Sequence, residues 1–152
     1  MNSLANGDHP AYLIELNGER FKASSFDELN KIILKAEEIQ AGRLWVGLEG
    51  GARPLWHRVF GLKDFVNALL VVEWFGENAS LIFYDENWSE YRVLDNEIPE
   101  FPDEIVRSQI SHGEQQAIAE DECMRKERAF IAIYELIKTR HRPTWLTYRF
   151  VR

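Results

Sequence analysis

The pattern of apolar and polar residues at the start of the chain predicts a β-hairpin. Tyr12, Ile14 and Leu16 alternate with other residues, as in a half-buried strand, and Asn17-Gly18 supplies two residues that tolerate a positive φ angle. We therefore predict strands over 11–16 and 20–23, joined by a tight turn. Residues 1–9 are predicted to be a flexible lead-in.

A helix is predicted to begin after Ser25. The sequence from Ser25 to Glu28 is a capping box, in which the Ser hydroxyl and the Glu carboxylate bind backbone amides that the first turn leaves free. Apolar residues then recur at helical spacing, and Gly42 is the predicted stop. The predicted apolar face consists of Phe26, Leu29, Ile32, Ile33, Ala36 and Ile39.

The middle of the chain predicts mainly strands. Residues 44–48 form one apolar run before a glycine-rich turn. Three more runs, separated by short turns, favour an antiparallel meander over 66–75, 80–84 and 90–94. Residues 95–111 contain two prolines and few periodic apolar residues, which predicts an irregular surface segment. A short strand is predicted near 117–119.

The C-terminal part predicts a second helix and a last strand. Glu120 or Asp121 is the predicted cap of a helix that runs to about Arg140, and its many apolar residues indicate packing on more than one side. Pro143 ends this helix, and residues 145–151 form the last predicted strand. Together the elements predict an α+β fold: one domain over 10–152, with an antiparallel sheet of six to seven strands packed against two main α-helices.

Length and composition predict one folded domain outside the membrane. With 152 residues, of which 45% are hydrophobic, the chain is long enough for one core. Its longest apolar stretch, 67–75, is much shorter than the roughly 20 residues that span a bilayer. The first ten residues lack the pattern of a secretory signal, and Cys123 is the only cysteine. These features predict a cytoplasmic protein.

Charge is distributed unevenly along the sequence. The net charge of −7 argues against direct nucleic-acid binding, which depends on Lys and Arg. Residues 85–122, here called the acidic segment, contain 12 acidic and two basic side chains. Residues 123–152, the basic segment, contain eight basic and two acidic side chains. The chain is therefore polarised in sequence, which leaves open whether it is also polarised in space.

No catalytic or metal-binding pattern emerges from the residue spacing. Cys123 is the one candidate nucleophile, with His112 or His141 as its base, but a thiol near the start of an amphipathic helix is ordinary core material. The four histidines show no spacing typical of metal sites. The glycines at 47–51 match neither a phosphate-binding loop nor a dinucleotide-binding turn. The sequence therefore predicts no enzyme activity, no cofactor and no metal.

The acidic segment is the strongest candidate for a binding surface. A run of charge is often only a solvated face. Here aromatic and aliphatic residues are interleaved with the carboxylates, which is typical of a surface that attracts a basic protein and holds it with apolar anchors. The predicted partner-binding residues are Trp88, Glu90, Glu97, Glu100, Phe101, Asp103, Glu104 and Glu114.

The C-terminal sequence QAIAEDECMRKERAFIAIYELIKTRHRPTWLTYRF, which begins at Gln116, resembles immunity protein family one of bacterial polymorphic toxin systems. In that family a short strand precedes an acidic helix start, the helix ends in a Thr/Gly-x-Arg-Pro segment, and a strand with a tryptophan closes the domain. Thr139, Arg142, Pro143 and Trp145 supply the matching residues, and Tyr148 is the alternative counterpart of the tryptophan. The early helix sequence SFDELNKIILKA is also similar.

The resemblance implies an immunity protein that binds a cognate toxin, often a nucleic-acid deaminase, and covers its active site. The physical argument agrees, because an enzyme that acts on a polyanion presents a basic rim for which an acidic inhibitor can compete. Two alternatives from other classes stay open: a small enzyme that uses Cys123 with a histidine, and an adaptor that oligomerises. The oligomeric state is also left open by the sequence.

Overall fold

The structure, a computed structural model, describes residues 11–49, 66–85, 89–95, 104–110 and 118–151. The predicted lead-in at residues 1–9 lies outside these ranges. The strands are β1 (Tyr12–Leu16), β2 (Glu19–Ala23), β3 (Ala41–Glu49), β4 (Val66–Phe75), β5 (Asn78–Tyr84), β6 (Glu90–Leu94), β7 (Met124–Arg125) and β8 (Thr147–Val151). The helices are α1 (Phe26–Glu38), α2 (Glu104–Ser108) and α3 (Lys126–Thr139), with a 3₁₀ turn at Glu120–Glu122. None of the helices in these ranges is long and apolar enough to cross a membrane.

The strands form one antiparallel sheet in the order β2-β1-β3-β4-β5-β6-β8, and β7 pairs with the start of β5. The predicted α+β fold is therefore confirmed, with eight strands where six to seven were expected. The predicted meander is also present, because β4, β5 and β6 pair in chain order. The first hairpin turns at Asn17 and Gly18, whose φ angles of 50° and 87° fit the predicted tight turn.

One face of the sheet carries the main core. Side chains from β1, β3, β4 and β5 pack there against α1 and α3, and the largest fully buried ones include Trp74, Phe83 and Phe130. The edge of the Phe130 ring meets Trp74, with the ring centroids 5.4 Å apart. Helix α3 contributes six buried residues to this core: Ala129, Phe130, Ala132, Ile133, Leu136 and Ile137. Their spacing places them on one wide face of the helix, and Ile131 outside that face is 51% exposed, so α3 packs on one side where more than one was predicted.

Helix α1 begins as predicted but ends earlier than predicted. The Ser25 hydroxyl accepts a hydrogen bond from the Glu28 amide at 3.2 Å, and the Glu28 carboxylate accepts one from the Ser24 amide at 2.7 Å. Of the predicted apolar face, Phe26 is an exception because it is 41% exposed. Gly42 does not end the helix; it lies inside β3, where a Cβ atom would stand 2.7 Å from Asn17 Oδ1. The glycine is needed for this close approach.

The start predicted for α3 is wrong. Glu120 and Asp121 belong to a separate 3₁₀ turn, and the helix begins only at Lys126, after an Arg125 cap that makes no side-chain hydrogen bond. The reason is tertiary, because Met124 and Arg125 are extended and pair with Ala79 and Asn78 of β5. The predicted end is confirmed, since Arg140 closes the helix with a φ angle of 65°.

Three smaller predictions also change. The segment predicted to be irregular contains α2, and Ile118 and Ala119 of the strand predicted near 117–119 are not in a strand. The last strand begins at Thr147, two residues later than predicted, because Trp145 and Leu146 form the turn before it.

The C-terminal end of α1 is held by donors from other parts of the chain. Lys126 Nζ donates hydrogen bonds to the carbonyl oxygens of Glu37 and Ile39, the latter at 2.9 Å. The Trp74 indole donates to the same Ile39 oxygen at 2.7 Å. These bonds satisfy carbonyls that the last turn of a helix leaves free, and they join the start of α3 to the end of α1.

We expect Lys126→Met to lower the free energy of unfolding by about 2 kcal/mol, because two charge-assisted hydrogen bonds to carbonyls are lost. For a domain of this size, that corresponds to a fall in melting temperature of about 4–8 °C. Thermal denaturation followed by circular dichroism measures the change. Lys138→Met, at an exposed position of the same helix, is the matched control, and an equal effect of both substitutions would contradict the capping role.

Candidate interaction site

The structure describes two of the eight predicted partner-binding residues. Glu90 lies in β6 and Glu104 begins α2. The other six lie outside the described ranges: Trp88, Glu97, Glu100, Phe101, Asp103 and Glu114. Within the acidic segment, the structure thus describes Glu90, helix α2 and the 3₁₀ turn.

Glu90 lies on the sheet face opposite the main core. Its Oε2 accepts a hydrogen bond from Arg92 Nε at 3.3 Å, and both side chains are mostly buried. Burial of the phenol raises the pKa of Tyr84, and the Glu90 charge adds to this shift. The carboxylate thus has a partner within the fold.

Helix α2 is anchored at one end and exposed at the other. Ile110, just beyond the helix, is fully buried, and Arg107 Nη1 donates a hydrogen bond to the Ile118 carbonyl at 2.7 Å. In the first turn, Glu104 is exposed and Ile105 is 75% exposed. The anchored end fixes the position at which this apolar side chain and its neighbouring carboxylate meet solvent.

The 3₁₀ turn is bound to the sheet by charge. The Glu122 side chain is 8% exposed; its Oε2 lies 3.1 Å from Arg92 Nη1 and 3.6 Å from Arg149 Nη1, and its Oε1 accepts a hydrogen bond from the Ala119 amide. Asp121 pairs with Arg149. Arg92 and Arg149 face each other across β6 and β8, so the Glu122 charge reduces the repulsion between these two arginines.

A second buried carboxylate begins a chain of contacts that ends at the surface. The Asp95 side chain is 2% exposed and is bound at both oxygens by Arg128 of α3. The Arg128 guanidinium lies 4.9 Å from the centre of the Trp145 ring, and the Trp145 indole donates a hydrogen bond to Glu135 Oε2 at 3.1 Å. Trp145 is therefore held in place although it is 41% exposed.

The C-terminal motif forms a cluster of stacked rings and cations. The Arg142 guanidinium lies 3.5 Å from the centre of the Tyr91 ring and 5.3 Å from that of Tyr148. Tyr148 donates a hydrogen bond to the Pro143 carbonyl at 2.6 Å. Burial raises the pKa of Tyr148 to about 12, although the Arg142 charge opposes this shift. The residues of the Arg-Pro segment thus serve to position β8 against β6.

Sequence reasoning missed these pairings. The sequence shows that the acidic and basic segments carry opposite charge, and the structure shows that the two segments meet through Asp95, Asp121 and Glu122. Which carboxylate meets which arginine depends on the order of the strands. The pairs Asp95–Arg128 and Asp121–Arg149 could not be derived from spacing alone.

Cys123 lies in a small second core with Ile110 and Ile118 and is fully buried. Burial raises the pKa of its thiol to about 11, against the opposing charge of Arg107 and the backbone of Ala79 and Met124. At neutral pH the thiol is therefore protonated, which disfavours a nucleophilic role. Of its suggested bases, His112 lies outside the described ranges and His141 is exposed.

The described residues offer little else for chemistry. No group of three or more His, Cys, Asp or Glu side chains within the described ranges is arranged to hold a metal ion. A groove of about 560 Å³ lies against β1, β2 and β3, lined in part by Leu13, Arg43 and Trp45. Its Glu15–Arg20 ion pair spans 3.7 Å and is largely exposed, so this pair does not provide a desolvated acid or base.

We expect the Cys123 thiol to react with a chromogenic disulfide reagent only after unfolding, because the folded chain buries it and keeps it protonated. Absorbance at neutral pH, with and without denaturant, measures the rate. Fast stoichiometric reaction of the native protein would contradict the packing role and favour the enzyme alternative.

We expect Glu122→Gln to lower the free energy of unfolding by about 2–3 kcal/mol, because it leaves Arg92 and Arg149 without their shared, buried counterion. The neighbouring, exposed Glu120 provides the matched control, and Glu120→Gln should change stability by less than about 0.5 kcal/mol. Chemical denaturation of the three proteins measures both values. Equal stabilities would show that the Glu122 charge has no structural role.

Comparison with known proteins gives no assignment. The chain matches no protein-family model and no curated protein. The resemblance to immunity protein family one therefore rests on the sequence motifs quoted for it, and the functional argument rests on the geometry described above.

Proposed function

We propose that the chain is an immunity protein that binds a cognate bacterial toxin in the cytoplasm and covers its active site. The toxin is a deaminase or nuclease that acts on nucleic acid, and its substrate-binding face is basic. In this role the chain catalyses no reaction and needs no cofactor. Its surface competes with the nucleic acid for the substrate-binding face of the toxin.

The observation that carries the proposal is the exposed first turn of α2. Ile105 is 75% exposed, the highest value among the large exposed hydrophobic residues of the described ranges, and it stands beside exposed Glu104. Arg107 and Ile110, at the other end of the same short segment, hold it against the rest of the fold. A fixed apolar side chain next to a carboxylate is suited to docking on a basic protein face, since little ordering entropy is lost on binding.

The internal ion pairs restrict which charges a partner can meet. Asp95, Asp121 and Glu122 are engaged by arginines of the same chain. Among the described acidic residues of the segment, Glu104 and Glu120 take part in none of the ion pairs found in these ranges and are exposed. These two carboxylates are therefore the better placed to attract a basic partner over a distance.

The buried thiol supports a binding role over the enzyme alternative. A cysteine nucleophile needs access to substrate and a lowered pKa, whereas Cys123 is fully buried with a raised one. The proposal assigns this residue to packing under α2, close to the surface that docks the toxin.

The test uses the toxin encoded beside this chain's gene. We expect the wild-type chain to bind that toxin and to protect a bacterial host that expresses it. The double variant Glu104→Lys/Ile105→Arg should associate at least about tenfold more slowly at low salt, because steering and the apolar anchor are both lost. Stopped-flow or surface-based kinetics measures the association rate constant.

The matched control is Glu38→Lys/Leu34→Arg on α1, which changes the same charges at another exposed pair. Its association rate should stay within about twofold of wild type, since its charges lie outside the proposed surface. No binding or protection by the wild-type chain would overturn the proposed function. Normal binding with equal rates for both double variants would overturn only the assignment of α2.

A further inference from the structure

The sheet has two outer strands, and they differ in charge. The strand order begins at β2 and ends at β8, and no strand of the described ranges pairs with their outer sides. Of the five residues of β2, three are charged and exposed, namely Glu19, Arg20 and Lys22. β8 has the sequence TYRFV, in which Arg149 is the only charged residue and Phe150 is 57% exposed. Because charged side chains on an edge strand disfavour pairing with another chain, β8 is the more open of the two edges.

The residue classes in β8 are symmetric about Arg149. Thr147 and Val151 are both β-branched, and Tyr148 and Phe150 are both aromatic. When two copies of β8 pair antiparallel about Arg149, each of these residues stands opposite a residue of its own class. Aromatic pairs and β-branched pairs in this position stabilise a sheet. The strand is therefore complementary to itself, as the interface of a two-fold dimer must be.

The aromatic residues of β8 extend a row of rings on the sheet face that carries the main core. The Phe150 ring meets Tyr91 of β6 with the centroids 5.3 Å apart, and the Tyr148 ring lies 6.1 Å from that of Phe83. In the pairing about Arg149, Tyr148 of the second copy stands opposite Phe150 and covers part of its exposed ring. The dimer thus removes from water an apolar side chain that the single chain leaves at its edge.

The two Arg149 side chains stand opposite each other in this pairing, and like charges there are destabilising. Within its own chain, however, Arg149 pairs with Asp121, and its Nη1 lies 3.6 Å from the buried Glu122 carboxylate. On the other face, the Arg142 guanidinium is stacked at 3.5 Å on Tyr91 of β6, one strand in from the edge. Carboxylates of the same chain therefore offset the Arg149 charge before a second copy arrives.

The corresponding pairing is disfavoured at the β2 edge. Antiparallel pairing of two β2 strands about Phe21 places Arg20 opposite Lys22 on both sides of the axis. Their carboxylate partners, Glu15 at 3.7 Å and Glu49 at 3.5 Å, form exposed ion pairs that contribute little. Two cation pairs at β2, against one compensated pair at β8, favour β8 as the edge that joins a second copy.

We propose that the chain forms a homodimer in which β8 pairs antiparallel with β8 of a second copy about Arg149, so that the two sheets become one continuous sheet. Thr147 stands opposite Val151 of the other copy, and Tyr148 opposite Phe150. Five paired residues from each copy form a small interface, so we expect the dimer to exchange with the monomer. The inference does not depend on the proposed function, because the association of the free chain is measured without the toxin.

The first experiment compares Phe150→Lys with Phe21→Lys in the full chain. Both replace an exposed phenylalanine of an edge strand by the same cation, so they differ mainly in which edge they alter. We expect Phe150→Lys to raise the dissociation constant of the dimer at least about tenfold, because it removes two aromatic cross-strand pairs. Phe21→Lys should stay within about twofold of wild type, because it lies far from the interface. Sedimentation velocity from micromolar to millimolar concentration measures the constants, and circular dichroism verifies that both variants are folded.

A disulfide tests the register of the pairing. Opposite Cα atoms of an antiparallel pair lie about 4.5–5.5 Å apart, within disulfide range, whereas positions 147 and 151 of one extended strand are about 13 Å apart. Under mild oxidation, Thr147→Cys/Val151→Cys should therefore form a covalent dimer on a non-reducing gel. Thr147→Cys alone should do so at least about tenfold more slowly, because its own position in the second copy is distant.

Three results would overturn the inference. The first is a wild-type chain that stays monomeric over the whole concentration range. The second is a dimer that Phe21→Lys weakens as much as Phe150→Lys does, which would assign the interface elsewhere. The third is equal cross-linking of the single and double cysteine variants, which would exclude pairing about Arg149.

Discussion

Two buried carboxylates, Asp95 and Glu122, tie the acidic segment of this chain to its basic segment. Asp95 binds Arg128 of α3, and Glu122 lies between Arg92 of β6 and Arg149 of β8. Because an unpaired buried carboxylate is costly, each pair strongly favours one placement of the segments relative to each other. These contacts set the positions of the last strand, the 3₁₀ turn and the first turn of α3.

This arrangement changes the meaning of the charge distribution. A sequence with 12 acids in one stretch and eight bases in the next suggests a molecule with two opposite faces. In the fold the two stretches meet, and several of their charges neutralise each other. The surface charge is therefore lower than the segment charge implies, and part of it comes from carboxylates outside these pairs, such as the exposed Glu104.

Buried contacts also fix the positions of two exposed hydrophobic side chains, Trp145 and Ile105. Arg128 can stack on Trp145 because Asp95 holds its guanidinium in place. Likewise, Arg107 and Ile110 anchor the far end of α2 and so set the position of Ile105. In both places a buried polar or apolar contact fixes an exposed hydrophobic residue, which lowers the ordering cost of any contact that this residue makes with another molecule.

Elements with local signals could be predicted from the amino-acid sequence: the Asn17-Gly18 hairpin, the Ser25 cap of α1 and the meander of β4, β5 and β6. Tertiary structure decided the rest. Gly42 proved to be a strand residue because it pairs with Trp74 of β4, and α3 began late because Met124 pairs with β5. The site followed the same division: the sequence indicated an acidic, aromatic-bearing segment, but only the strand order decided which carboxylates are buried by arginines and which remain at the surface, because a charge's partner depends on distance in space and not along the chain.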